Sequence, residues 1–105
     1  MEKIDDVRDF ATFFKKYRLR SEIDTLTEFG NLLADEGIVY ENSIYSRWQN
    51  GTRLPKNRQV LLQIVKVFIK KGGIRSFTEV NMLLESAGQG YVTKQEYSQV
   101  SRIME

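Results

Sequence analysis

The sequence predicts an all-α fold with about six helices, and three observations support this. Apolar residues recur three and four positions apart through most of the 105-residue chain, which is the spacing of one helix face. The capping-box pattern that begins a helix occurs three times, as TLTE at 25–28, SFTE at 76–79 and TKQE at 93–96. No stretch shows the alternating apolar pattern of a strand, and the chain contains no internal repeat.

The first two helices follow from their apolar stripes and their end signals. We place the first helix at about residues 5–18, with acidic residues in its first turn. Its stripe consists of Val7, Phe10, Ala11, Phe14 and Tyr17. The second helix begins after Thr25 and ends before Gly37, and its inward residues are Phe29, Leu32 and Leu33. Gly30 costs this helix about 1 kcal/mol relative to alanine, so we expect another helix to approach closely there.

The third helix is short, about two turns, and ends at the Asn50-Gly51 turn. Asn42 or Ser43 could cap its start. Tyr45 and Trp48 lie three residues apart and are expected to share its buried face. Trp48, the only tryptophan of the chain, is therefore interpreted as a core residue, with stacking on a nucleic-acid base as the alternative.

Three further helices are predicted in the rest of the chain. Pro55 begins the fourth helix, which ends at Gly72-Gly73 and has an apolar face made of Val60, Leu61, Ile64, Val65, Phe68 and Ile69. Ser76 begins the fifth helix, whose stripe consists of Val80, Leu83, Leu84 and Ala87. Thr93 begins the sixth helix, and its inward residues are expected to be Tyr97, Val100 and Ile103.

The composition argues against an enzyme. The chain has no cysteine and no histidine, which removes thiolate chemistry, the commonest metal ligand and the usual general base at neutral pH. Asp5, Asp6 and Asp9 are interpreted as helix-start charges rather than as a metal site, and Ala87–Gly90 lacks the spacing of a phosphate-binding loop. We therefore expect no catalytic activity, no cofactor and no metal.

Nothing in the sequence indicates a secreted or membrane protein. The first ten residues, MEKIDDVRDF, are charged and lack the apolar segment of a secretory signal. The longest apolar run, Leu61–Ile69, is interrupted by Gln63 and Lys66 and is far shorter than the ~20 residues that span a membrane. We expect a cytoplasmic protein without a membrane partner.

The charges are unevenly distributed along the chain. Residues 42–78 contain no Asp or Glu and eight basic residues: Arg47, Arg53, Lys56, Arg58, Lys66, Lys70, Lys71 and Arg75. The remainder holds the other 8 of the 16 basic residues and all 14 acidic ones. A basic segment on an otherwise acidic domain is typical of a protein that binds a polyanion, with a solvated basic helix face as the alternative. If five to seven of these cations contact DNA phosphates, the association constant K for DNA should fall as salt is added. A plot of log K against the logarithm of the salt concentration should then have a slope of about −4.5 to −6.

A ten-residue stretch, SRWQNGTRLP at 46–55, resembles the end of the recognition helix in the Cro/repressor-type (XRE-like) helix-turn-helix family. Phe29-Gly30 resembles the Leu-Ala pair in the first helix of that motif, and the resemblance extends from about 24 to 68. It implies one domain over 1–105, with a helix-turn-helix core at 24–72 and a C-terminal helical extension at 74–105.

Two features depart from the family pattern. Gln49 stands where the family usually has Glu. The stretch Asp35–Asn42 also holds roughly five residues more than the turn of the family. Either the first helix of the motif is longer by a turn, or the loop bulges beside the recognition helix.

The resemblance and the polar positions of the third helix together predict the contacts with DNA. Such a helix fits the major groove, where short polar side chains and Arg reach base edges. The predicted base contacts are Asn42, Ser43, Ser46 and Arg47, with a phosphate contact as the alternative for Arg47. The predicted phosphate contacts are Asn50, Thr52, Arg53 and Lys56. Lys66, Lys70 and Lys71 are expected to be solvated helix charges.

These residues predict sequence-specific binding of double-stranded DNA, as in a bacterial or phage transcriptional regulator. The sequence leaves open whether the protein acts as a homodimer. A helical protein–protein interaction module and the DNA-binding front end of a longer regulator are the alternatives.

Overall fold

The computed structural model describes residues 7–105, with side chains described from Asp9 onward. Six helices and no strand occur in this range, which confirms the all-α prediction. The helices are α1 (Val7–Arg20), α2 (Leu26–Asp35), α3 (Asn42–Asn50), α4 (Arg58–Lys70), α5 (Phe77–Ser86) and α6 (Lys94–Met104). Asp5 and Asp6 lie outside the described residues. None of the helices described is long and apolar enough to cross a membrane.

The starts of three helices are the ones that the capping patterns predict. At α2, α5 and α6 a hydroxyl accepts a hydrogen bond from the backbone N–H three residues later, and the capping residues are Thr25, Ser76 and Thr93. Only at α6 does the glutamate return the bond, where Glu96 accepts from the N–H of the cap at 3.0 Å. At α2 and α5 the carboxylate accepts instead from the residue before the cap, Asp24 or Arg75. In both arrangements, side-chain oxygens accept hydrogen bonds from backbone N–H groups at the start of the helix.

Two predicted helix starts were wrong. Glu41, rather than Asn42 or Ser43, is the N-cap of α3, and its side chain makes no capping hydrogen bond. α4 begins at Arg58, not at Pro55, because the side chain of Asn57 accepts from the Val60 N–H at 3.1 Å. An Asn cap of this kind stabilises a helix start by about 1 kcal/mol, which proline cannot supply from its side chain.

Aromatic rings from four helices meet at the centre of the core. Phe14 of α1 lies 5.0 Å from Phe29 of α2, 6.2 Å from Trp48 of α3 and 5.8 Å from Phe68 of α4, measured between ring centroids. Tyr45 and Trp48 are 1% and 2% exposed, so their assignment to the core is confirmed. Aromatic packing therefore anchors the buried face of α3 to the core and leaves its outer face exposed.

The segment from α5 to α6 packs on the same core through a mixture of apolar contacts and ion pairs. Val80, Leu83, Leu84 and Val100 are buried in it. Tyr97, predicted to face inward, is 54% exposed and stacks on Phe77 with ring centroids 4.5 Å apart. That prediction was wrong because the half-buried Phe77 offers Tyr97 a flat partner at the surface.

Candidate nucleic-acid interface

The position of α3 is set by a close crossing over α2. A Cβ atom placed on Gly30 would lie 2.9 Å from Cε2 of Tyr45, closer than real Cβ contacts allow. The Tyr45 hydroxyl in turn accepts a hydrogen bond from the Tyr40 N–H at 3.0 Å, which fixes the ring from its other end. The close approach expected at Gly30 is therefore present, and it holds α3 against α2.

The residues that lengthen the turn between α2 and α3 form a loop beside α3. Because α2 ends at Asp35, residues 36–41 are a loop and not a further helical turn. Tyr40 of this loop packs edge-to-face on Trp48, with ring centroids 6.0 Å apart. Of the two alternatives for this stretch, the structure shows the bulged loop.

The outer face of α3 is a continuous polar stripe. Four exposed residues at spacings of three, four and seven lie on one side of the helix, and they are Ser43, Ser46, Arg47 and Asn50. The opposite side carries the buried Tyr45 and Trp48. Within residues 7–105, the side chains of Ser46 and Arg47 have no hydrogen-bond or ion-pair partner. Both are therefore available to a ligand of this face.

The start of α3 is more constrained than its middle. The amide Nδ2 of Asn42 donates to the Thr27 hydroxyl of α2 at 2.9 Å, which uses one of its two N–H groups and ties the side chain to α2. The Ser43 hydroxyl lies 3.5 Å from the carboxylate of Glu41, at the limit of a hydrogen bond. The exposed Glu41 carboxylate thus flanks the predicted base contacts, as its place next to Asn42 in the sequence implies.

The turn after α3 is held by its own polar groups. Gly51 has φ 84° and ψ 14°, the left-handed conformation that glycine adopts without strain, and it ends the helix. The Asn50 side-chain oxygen accepts from both the N–H and the hydroxyl of Thr52, at 3.1 and 2.9 Å. These two predicted phosphate contacts therefore shape the turn, while the side chains of Arg53 and Lys56 after it are exposed.

Six of the eight cations of residues 42–78 fall into two groups, and the side chains of the other two, Lys71 and Arg75, have no carboxylate partner among the described residues. Lys66 and Lys70 both bind Glu36, at 3.1 and 2.8 Å, and these bonds, that of Lys70 first, hold the pKa of the Glu36 carboxyl below its usual value. Arg58 binds Glu96. Lys66 and Lys70 are thus ion-paired rather than simply solvated, which corrects that prediction. Among the described residues, the basic side chains around the end of α3 have no such partner: Arg47, Arg53 and Lys56.

A buried cation lies behind α3, and the sequence did not single it out. Arg18 of α1 is 6% exposed. Its Nε donates to Gln49 Oε1 at 3.0 Å, and its Nη1 donates to the Ile23 carbonyl at 2.7 Å. Both acceptors are neutral, so no carboxylate in the described part of the chain balances this charge. The sequence did show that Gln49 replaces the Glu that is usual in the family. It could not identify Arg18, 31 residues away, as the partner of Gln49.

Comparison with known proteins gives no relative. No protein-family model matches the chain, and neither the curated proteins nor the solved structures contain a significant match. The helix-turn-helix resemblance of residues 46–55 therefore stays a prediction.

Proposed function

We propose that the protein binds double-stranded DNA by placing α3 in the major groove, as a transcriptional regulator of the helix-turn-helix type. The polar stripe of α3 carries this proposal, because it is exposed along its length and backed by a rigid aromatic anchor. A helix ~10–12 Å in diameter matches a major groove ~12 Å wide. A binding helix must be held at a fixed height above its scaffold, and Tyr45 and Trp48 supply that support.

Each polar residue of this surface has a distinct role in the proposal. Arg47 is unpaired and central on the stripe, and its fork of donors suits O6 and N7 of guanine. Ser43 and Ser46 flank it, while Asn42 keeps one amide N–H and its carbonyl oxygen for a base, because Thr27 accepts the other N–H. The phosphate contacts come from Arg53 and Lys56 and from the turn that Asn50 and Thr52 shape.

The ion pairs lower the expected salt dependence. Three unpaired cations adjoin α3, and each phosphate they neutralise contributes ~0.9 to the slope of log K against log salt. We therefore expect a slope of about −3 rather than −4.5 to −6. Arg58 contributes little because Glu96 neutralises it, and the single negative charge of Glu36, which Lys66 and Lys70 share, lowers the contribution of those two lysines.

The test is selection of bound sequences from a random duplex library, followed by salt titration of the selected site. Arg47→Ala should weaken the selected site by about 1–3 kcal/mol and relax the preference at one base pair. Arg53→Ala should weaken selected and scrambled duplexes equally and lower the salt slope by about one. Arg102→Ala, an exposed Arg of α6, is the matched control and should change neither.

Two outcomes would contradict the proposal. A duplex affinity that does not change with salt would remove the nucleic-acid function and favour a protein-interaction module. Equal weakening of selected and scrambled duplexes by Arg47→Ala would show that Arg47 meets a phosphate, and that α3 does not read bases through it.

A further inference from the structure

A cavity lies at the C-terminal end of α3, between the 36–41 loop and the turn that follows the helix. Its volume is about 570 Å³, within the range of about 300–1,000 Å³ that small-molecule sites occupy. Tyr40 and Trp48 form one side, and Leu54, Pro55 and Val60 form the other. DNA binding gives no role to this apolar floor, because a phosphate is bound by cations and hydrogen-bond donors and not by apolar side chains.

The rim of the cavity is cationic. Arg53 and Lys56 line it, and none of the described residues that line it is an Asp or Glu. Neither basic side chain has a hydrogen-bond or ion-pair partner in the part of the chain that the structure describes. An apolar floor beneath unpaired cations is complementary to a molecule with an apolar body and one anionic end.

Both walls of the cavity are held in place without a ligand. The Tyr40 backbone N–H is bound by the Tyr45 hydroxyl at 3.0 Å, and the Tyr40 ring lies edge-to-face on Trp48. On the other wall, the Lys56 carbonyl accepts from the Gln89 side chain at 2.9 Å. A preformed site binds without the cost of ordering its walls, so even a small ligand can gain measurable affinity.

We propose that this cavity is a binding site for a small aromatic carboxylate. The ring lies against Tyr40 and Trp48, where edge-to-face and offset contacts are favourable. The carboxylate meets Arg53 at the rim, with Lys56 as a second cation. Binding at this cavity does not depend on the proposed DNA-binding function.

A regulatory consequence follows if that proposed function holds. The carboxylate and the DNA phosphates both require Arg53 and Lys56, so each ligand must weaken the binding of the other by the same factor. The protein would then release DNA when the carboxylate accumulates.

The position of Trp48 provides the assay, because the only tryptophan of the chain lines the cavity. Phenylpropionate is titrated into the full chain without DNA, and Trp48 fluorescence and calorimetry are recorded. Phenylpropanamide, which is neutral and of the same shape, is the matched ligand. We expect saturable binding of the carboxylate about tenfold tighter than that of the amide, as one charge-assisted contact gives.

Arg53→Ala tests the rim, and its exposed position keeps the fold intact. It should weaken the carboxylate about tenfold and leave the amide unchanged, whereas Arg102→Ala should change neither. The proposal is overturned by the absence of saturable binding in both measurements, by equal affinity for acid and amide, or by an equal effect of the two Arg variants. A competition experiment with a DNA duplex then distinguishes the carboxylate site from the proposed DNA-binding function. Carboxylate binding without any duplex binding would remove the DNA function and leave the cavity assignment standing.

Discussion

Two neighbouring regions of the chain each carry three basic residues, but within the described part of the chain these residues are unpaired in one region and ion-paired in the other. Around the end of α3, Arg47, Arg53 and Lys56 extend from the surface without partners in the described residues, and the helix is held by aromatic packing. Along α4, Arg58, Lys66 and Lys70 are bonded to carboxylates from elsewhere in the chain. These carboxylates lie between 30 and 38 residues away from their basic partners along the chain. Local charge in a sequence therefore does not give surface charge, because folding decides which cations meet an acid.

The largest expected effect tests the aromatic support of α3. Trp48→Ala removes a ring packed on Phe14, Tyr40 and Tyr45, and should lower the free energy of unfolding by about 3–5 kcal/mol. Denaturant unfolding followed by circular dichroism measures it. A Trp48→Ala protein of normal stability with weakened DNA binding would assign Trp48 to the contact surface instead.

The second prediction concerns the ion pairs of α4. The Arg58 guanidinium donates to both Glu96 oxygens, at 3.0 and 2.7 Å, and to the carbonyls of Gly90 and Tyr91, at 2.8 and 3.0 Å. Arg58→Ala should therefore cost about 2–3 kcal/mol of unfolding free energy. Arg53→Ala, the matched loss from the α3 region, should change it by less than about 0.5 kcal/mol. Equal effects of the two variants on stability would remove the distinction between the regions.

Acid titration sharpens the same contrast. The Arg58 hydrogen bond, more than any other contact, lowers the pKa of Glu96 from 4.5 to about 2. A carboxyl with a lowered pKa contributes its full stability above the ordinary value, and that contribution is lost as the pH falls through the folded value. The stability difference between wild type and Arg58→Ala should be constant above about pH 4.5 and shrink as the pH approaches 2. A difference that does not change with pH would mean that Arg58 stabilises the fold through the Gly90 and Tyr91 carbonyls and through packing, and not through Glu96.

The smallest effect concerns the buried charge behind α3. Gln49→Glu gives Arg18 a carboxylate in place of an amide oxygen, and should raise the free energy of unfolding by roughly 1 kcal/mol. Because the variant also removes one net positive charge beside the proposed interface, DNA affinity should fall slightly at low salt. Thermal unfolding and duplex titration measure the two changes. A destabilised variant would mean that desolvation of the carboxylate at position 49 outweighs its attraction to Arg18.

Local signals explain why the fold was predictable and the charge arrangement was not. Helix starts at Thr25, Ser76 and Thr93 depend on residues three positions apart, and the inward placement of Trp48 depends on spacing within one helix. The partner of Arg58 depends on how separate helices pack, which no local pattern records. The polar stripe of α3 was also local and could be predicted, whereas the attachment of Asn42 to Thr27 could not.

The contact at Gly30 sets how far α3 stands out from the body of the protein. A Cβ there would need to move from 2.9 Å to at least 3.4 Å from the Tyr45 ring, so an alanine would require the ring, or α3 with it, to shift by about half an ångström. Successively larger residues at position 30 would increase the distance between α2 and α3 in steps. The height of the exposed face of α3 above the core is therefore adjustable from its hidden side, without altering any residue of that face.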